Sequence, residues 1–144
     1  MSDQTIKLIA AGVLLVHGLG HGGALGALGW IRVYPGTPTG GWLAARSWLV
    51  PSLAGDTATT IAAAFWIVSL VGFVIAAMSF WGVVLPGSVW RPLAVASALV
   101  SIAGIACFFG TWPMFYSLAA LSVNVAVLVG VLWLHWPPQA TFGR

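Results

Sequence analysis

Two histidines, His17 and His21, are the residues of this sequence best placed to do chemistry. They stand four positions apart, so on a helix they project from one face, separated by about 40° around the axis. The apolar run around them places both near the middle of a membrane-spanning segment. Ionisable side chains at that depth are costly, and a functional role is the default hypothesis for them.

Three kinds of chemistry are conceivable for this pair. Two histidines at this spacing are typical of a helix that binds one metal ion, although a closed site needs about four ligands. A haem clamp would need a histidine from a second helix, and His135 is predicted at a depth that does not match. A proton relay would enlist a carboxylate inside the membrane, whereas Asp3 and Asp56 fall outside the apolar runs. A metal or ligand site at His17 and His21 stays open, and no cofactor or catalytic residue is predicted.

A structural interpretation is preferred to these. Polar side chains that hydrogen-bond across transmembrane helices contribute about 0.6–2 kcal/mol each. One such residue from each span is predicted at mid-membrane depth: His17, Ser69, Ser101 and Asn124. Within this layer His17 is expected to pair with Asn124, which leaves His21 nearly neutral to substitution. The same four residues, together with His21, are the predicted ligand-binding residues if the layer forms a site.

Composition sets the fold class. Of 144 residues, 60% are hydrophobic and 5% are charged, and the mean hydropathy is +1.04. Soluble domains carry about 25% charged residues, and one helical span needs about 20 apolar residues. Four spans account for nearly the whole length. We therefore predict an all-α integral membrane four-helix bundle, a single membrane domain over residues 1–144.

The apolar runs predict where the spans lie. They cover approximately residues 6–31, 57–85, 92–109 and 113–136. The first is interpreted as a retained helix and not a secretory signal, because Asp3 offsets Lys7 in its polar flank. The first connection is rich in glycine and proline, and residues 42–49 then mix Trp and Leu with Arg46. That mixture predicts a short interfacial helix.

Aromatic and charged residues predict the orientation. Trp and Tyr favour the two membrane interfaces, and they cluster at both ends of the predicted spans. Cytoplasmic flanks carry an excess of Lys and Arg. Lys7, Arg91 and Arg144 share one side, whereas Arg32 and Arg46 share the other. We expect both termini to be cytoplasmic and the membrane to be the plasma (inner) membrane.

The first helix also carries a glycine stripe, formed by Gly18, Gly22, Gly26 and Gly29. Small residues four positions apart let helix backbones approach closely. Packing inside the monomer is favoured over dimerisation. The stripe predicts that the first helix is the crowded, central one.

A family resemblance rests on Gly72 and Gly82 in the second span and on the Arg91-Pro92 start of the third. In these residues the chain resembles small DoxX-like bacterial membrane proteins. The segment from His17 to His21 also resembles the first helices of uncharacterised four-span bacterial proteins. The DoxX-like resemblance implies a membrane-bound component of redox or quinone chemistry.

These observations favour a non-enzymatic subunit or helper of a larger membrane assembly. The alternative function is a carrier or binder of a small lipophilic, metal or redox ligand at the His17/His21 face. The expected partners are the lipid bilayer and either another membrane protein or a second copy of the chain. Nucleic acid is excluded as a partner, because the Lys and Arg residues are scattered and form no basic patch. The single cysteine, Cys107, is interpreted as a small buried hydrophobe.

Overall fold

Four long helices make up the part of the chain that the computed structural model describes, which is residues 1–34, 46–109 and 113–138. The helices are α1 Asp3–Val33, α2 Gly55–Ser79, α3 Trp90–Cys107 and α4 Met114–Leu128. A short 3-10 helix, Gly87–Val89, precedes α3, and α4 continues as a π-helical segment, Val129–Trp133. With these extensions, all four are long and apolar enough to cross a membrane. The predicted all-α, multi-pass fold is confirmed.

The first helix begins directly after a capping residue, three residues before the predicted span. Ser2 precedes α1, and its hydroxyl oxygen accepts a hydrogen bond of 3.2 Å from the backbone N–H of Thr5. Asp3 lies in the first turn, where a negative charge is favourable beside the exposed N–H groups. A polar cap therefore starts the helix just outside its apolar stretch.

The second helix is shorter than its apolar run predicts. It ends at Ser79 instead of residue 85, and the following residues form turns and bends. Gly82 has a φ of +65°, a conformation that glycine adopts without steric cost. The N–H of Gly82 bonds the Ser79 carbonyl at 3.1 Å, three residues back. Hydropathy alone does not distinguish this apolar loop, with its exposed Trp81, from a helix.

The expected interfacial helix is not found where the first connection is described. Residues 46–49 form a bridge residue and bends, and residues 42–45 lie outside the described residues. The buried Ser47 organises this loop: its N–H bonds the Leu53 carbonyl at 2.9 Å, and its hydroxyl accepts from the Val50 N–H at 3.0 Å. These local bonds satisfy the backbone without a helix. The prediction is therefore wrong for residues 46–49.

The central helix is α2, so the prediction that α1 takes this place is wrong. Helix α2 packs extensively against both α1 and α3, and α4 packs mainly against α3. Glycines on both neighbours permit this. A Cβ atom at Gly18 of α1 would lie 3.0 Å from the Phe73 Cβ, and one at Gly104 of α3 would lie 2.8 Å from the Phe65 Cβ. The backbones of α1 and α3 therefore approach α2 closely, at Phe73 and at Phe65 respectively.

The glycine stripe of α1 is divided between two environments. Gly18 and Gly22 face α2, where a Cβ at Gly22 would be in ordinary contact with Leu70, 3.8 Å away. At Gly26 and Gly29 a Cβ would meet no atom of the described residues within 4 Å. Close packing thus uses the first half of the stripe.

Arg91 connects the start of α3 to the end of the α4 segment. Its Nη2 donates to the backbone carbonyls of His135 at 3.1 Å and Pro137 at 2.6 Å. Charge-assisted bonds of this kind are stronger than neutral ones. The Arg91 side chain therefore joins α3 to the end of the α4 segment at this end of the bundle. These bonds are separate from the helix contacts deeper in the membrane.

The divided stripe generates a prediction. Gly18→Ala should lower the free energy of unfolding by about 1–3 kcal/mol, because the new methyl overpacks the contact with Phe73. Gly26→Ala is the matched control, and it should be neutral or stabilising by up to ~1 kcal/mol, since alanine favours a helix. Reversible unfolding in lipid bicelles measures both. Equal effects at the two glycines would contradict the close packing of Gly18 on α2.

Candidate functional site

A cavity of about 780 Å³ lies between α1 and α4. Eight of its lining residues belong to α1 and five to α4, and Trp66 and Ile105 close it from α2 and α3. Val16 and Tyr116 line it although 70% and 57% of their surfaces are exposed, so the cavity opens outward. Because these residues lie within the helical spans, the opening faces the bilayer.

Four polar side chains form a hydrogen-bond chain beside this cavity. His17 Nε2 lies 2.8 Å from Asn124 Oδ1. Asn124 Nδ2 donates to Ser101 Oγ at 2.7 Å, and Ser101 Oγ lies 3.2 Å from His21 Nε2. The expected contact between His17 and Asn124 is present. The chain begins and ends on α1 and passes through α4 and α3, so it joins three helices.

The direction of each bond follows from what its atoms can do. Asn124 Oδ1 only accepts, so His17 Nε2 carries the hydrogen and donates it. Ser101 already accepts from Asn124, and its own hydroxyl hydrogen finds an acceptor in His21 Nε2. The surrounding side chains carry no formal charge, which favours the neutral form of both rings. The Nδ1 of His17 is then an acceptor, and the Nδ1 of His21 carries a hydrogen.

Aromatic rings of α2 hold the two imidazoles in place. The His21 ring stacks on Trp66 with centroids 5.4 Å apart and planes inclined by 10°. The His17 ring meets Phe73 edge-on at 4.8 Å, and the two imidazole centroids are 5.0 Å apart. Trp66 and Phe73 are themselves buried. Helix α2 therefore fixes the ring planes, although it contributes no hydrogen bond to the chain.

The lining of the cavity is electrically neutral and mostly apolar. None of the described residues that line it is Asp, Glu, Lys or Arg. Histidine, tyrosine and serine side chains supply its polar atoms. A neutral molecule can enter such a space without the large cost of burying an unpaired charge.

Within the described residues, no third metal ligand lies beside the histidine pair. Among the described residues, no group of three His, Cys, Asp or Glu side chains is placed to hold a metal ion. The Nε2 atoms of His17 and His21 are engaged by Asn124 and Ser101, so a metal would have to use Nδ1. Metal binding by the histidine pair stays a prediction.

The other residues singled out in the sequence lie elsewhere. Ser69 is fully buried on α2 and makes no hydrogen bond within the described parts of the chain. Cys107 packs beside a small apolar cluster that includes Ala58 and Phe108. His135 is exposed beyond α4, where its carbonyl meets Arg91. Ser69 is predicted at the same depth as His17, Ser101 and Asn124. It does not join their hydrogen-bond chain, because the direction of its side chain around the α2 axis also matters.

The structural interpretation of the sequence gives one residue of the site too small a role, and another residue is missed. His21 is expected there to be almost without effect, yet it closes the hydrogen-bond chain through Ser101. Ser117 is not singled out, yet it is buried and lines the cavity. The i, i+4 spacing of the histidines is the available signal for His21. Ser117 lies seven residues, or about two turns, before Asn124, which places it on the same face of α4.

Comparison with known proteins identifies no relative, since no protein-family model, curated protein or solved structure matches this chain. The resemblance to small DoxX-like membrane proteins therefore stays a prediction.

The hydrogen-bond chain predicts energetic coupling across helices. His17→Ala and Asn124→Ala should each lower the free energy of unfolding by about 0.6–2 kcal/mol per bond lost. The double variant should cost less than the sum, because the shared bond is lost only once. Unfolding in bicelles measures the cycle.

Ser122→Ala provides the control for this cycle. Ser122 lies on the exposed side of α4, and its hydroxyl donates to the Leu118 carbonyl of its own helix. Its effect should add to that of His17→Ala. Additive losses at His17 and Asn124 would show instead that their contact contributes no coupling between α1 and α4.

Proposed function

We propose that this multi-pass membrane protein binds a small lipophilic molecule in the cavity between α1 and α4, with His17 and His21 orienting its polar group. The observation that carries the proposal is the meeting of an apolar cavity and a buried polar chain at one place. Ligand sites are typically cavities of about 300–1,000 Å³ with an apolar lining and a few fixed polar groups. At about 780 Å³, this cavity falls within that range.

Small side chains support a binding role over simple packing. Gly20 and Gly23 of α1, with Ala119 and Ala120 of α4, line the cavity. In a bundle built only for stability, larger side chains at these positions would fill the space and gain dispersion contacts. The opening toward the bilayer would let a lipophilic molecule enter without crossing water. Carriage, storage or presentation of such a molecule would all use this geometry.

The remaining functional expectations stay predictions. A role as a non-enzymatic subunit or helper of a membrane assembly is consistent with ligand binding, because such a subunit can supply a lipophilic molecule to its partner. A redox role of DoxX-like type would require that the bound molecule be redox-active. The residues that line the cavity support binding of a lipophilic molecule. Any redox activity would come from the bound molecule.

Filling the cavity should abolish binding. In proteoliposomes, a dodecanol carrying a photoreactive diazirine should label cavity residues such as Val123 in a saturable manner. Ala119→Phe places a ring in the cavity and should reduce this labelling by about tenfold, equivalent to about 1.4 kcal/mol. Peptide mapping by mass spectrometry measures it.

Ala126→Phe is the matched control for the cavity-filling variant. Ala126 is also exposed on α4 but does not line the cavity, so labelling of Val123 should be unchanged. Non-saturable labelling in the wild-type protein, or equal labelling in the two variants, would refute a binding site between α1 and α4.

We also propose that both termini face the cytoplasm across the plasma membrane. Lys7 and Arg91 lie at the starts of α1 and α3, and Arg46 lies in the connection at the opposite ends of these helices. Single cysteines at Ser2 and Thr39, in a Cys107→Ala background, test the orientation with an impermeant maleimide. Thr39 should react from outside intact cells and Ser2 only after permeabilisation. Reaction of Thr39 only from the cytoplasm would reverse the topology.

A further inference from the structure

One serine that lines the cavity has a hydroxyl with no hydrogen-bond partner among the described residues. Ser117 is 4% exposed and lines the cavity, and its hydroxyl makes no hydrogen bond with any of them. By contrast, Ser79, Ser97 and Ser122 each donate to the carbonyl four residues earlier. The carbonyl four residues before Ser117 is that of Pro113, which already accepts from two backbone N–H groups. Because Ser117 lines the cavity, its hydroxyl is available to form a hydrogen bond with a polar group of a ligand.

The histidine pair leaves two further polar atoms available. Both rings line the cavity, and the hydrogen bonds to Asn124 and Ser101 use only Nε2. Within the described chain, neither Nδ1 has a hydrogen-bond partner. Given the direction of the bonds to Nε2, His17 Nδ1 accepts and His21 Nδ1 donates. The two histidines and Ser117 therefore offer one acceptor, one donor and a hydroxyl that can do either.

We infer that the ligand is a neutral lipid alcohol, whose hydroxyl takes its hydrogen-bond partners from Ser117, His17 and His21 while its apolar body occupies the cavity. This inference rests on the proposed binding function. A hydroxyl is the smallest group that both donates and accepts, so it can use the available atoms of both imidazoles. An ether or ester oxygen accepts only and leaves the acceptor His17 Nδ1 unused.

The uncharged lining of the cavity disfavours ionic head groups. A carboxylate or an ammonium would be buried in a space where no described lining residue carries a formal charge. The cost of such a buried, unpaired charge exceeds what one or two hydrogen bonds return. The body of the alcohol would contact apolar lining residues such as Val13, Ile105 and Val123, and it can extend past Val16 into the bilayer.

Competition for the photolabelled site tests the head group. Unlabelled dodecanol should suppress diazirine-dodecanol labelling of the wild-type protein at about 3- to 30-fold lower concentration than dodecyl methyl ether, the ratio expected for one hydrogen bond in a membrane. Dodecanoate and dodecyltrimethylammonium should compete more weakly than dodecanol. Each concentration is corrected for partitioning into the vesicles.

Variants assign the preference to the hydroxyl partners. Ser117→Ala should reduce the ratio between the competing concentrations of the ether and of dodecanol, whereas Ser122→Ala should leave this ratio unchanged. Equal competition by alcohol and ether in the wild type, or stronger competition by either ion, would overturn the inferred head group while leaving the cavity as a binding site. If no compound competes and Ala119→Phe has no effect on labelling, the proposed function itself fails.

Discussion

The hydrogen-bond chain from His17 through Asn124 and Ser101 to His21 is the interaction on which the rest of the structure depends. It joins α1, α3 and α4 at a depth where the bilayer offers no water to replace a lost bond. Helix α4 packs mainly against α3, and a cavity separates it from α1 along much of their facing surfaces. The contact between His17 and Asn124 therefore spans the gap that close packing leaves open.

The chain also determines what the cavity offers to a ligand. Asn124 and Ser101 occupy the Nε2 atoms of the two histidines, so the Nδ1 atoms are left for other partners. Stacking against Trp66 and edge contact with Phe73 limit rotation of the two rings. A binding site is most effective when its polar groups are held before the ligand arrives. The Nε2 atoms of the two imidazoles thus contribute to stability, and their Nδ1 atoms are available to a ligand.

Much of the fold could be predicted from the sequence, because long apolar runs in a lipid solvent permit little except helices. Depth was also predictable: Ser101 and Asn124 stand at similar sequence distances from the turn near Pro113, so an antiparallel hairpin brings them level. The rotation of each helix about its own axis could not be predicted from the sequence. Apolar residues surround all four helices, and no amphipathic pattern indicates that Ser69 points away from the chain while His21 points into it.

The cavity and the central place of α2 were beyond sequence reasoning for a related reason. Both depend on which small residues meet a neighbour, and the seven glycines of α1 look alike in the sequence. Gly18 and Gly104 meet aromatic side chains of α2, whereas Gly20 and Gly23 meet open space. Only the relative positions of the helices separate glycines that permit contact from glycines that leave room.

The most direct test of the hydrogen-bond chain is the tautomeric state of the two histidines. Nitrogen-15 NMR of histidine-labelled protein in lipid bilayers distinguishes protonation at Nδ1 from protonation at Nε2, and His17→Gln and His21→Gln variants assign the signals. The bond directions predict that His17 is protonated at Nε2 and His21 at Nδ1, and that Asn124→Ala shifts the His17 signals. Protonation of His17 at Nδ1 alone, or His17 signals that are unchanged by Asn124→Ala, would contradict the hydrogen-bond chain. Protonation of His21 at Nε2 would reverse the donor and the acceptor in its bond with Ser101.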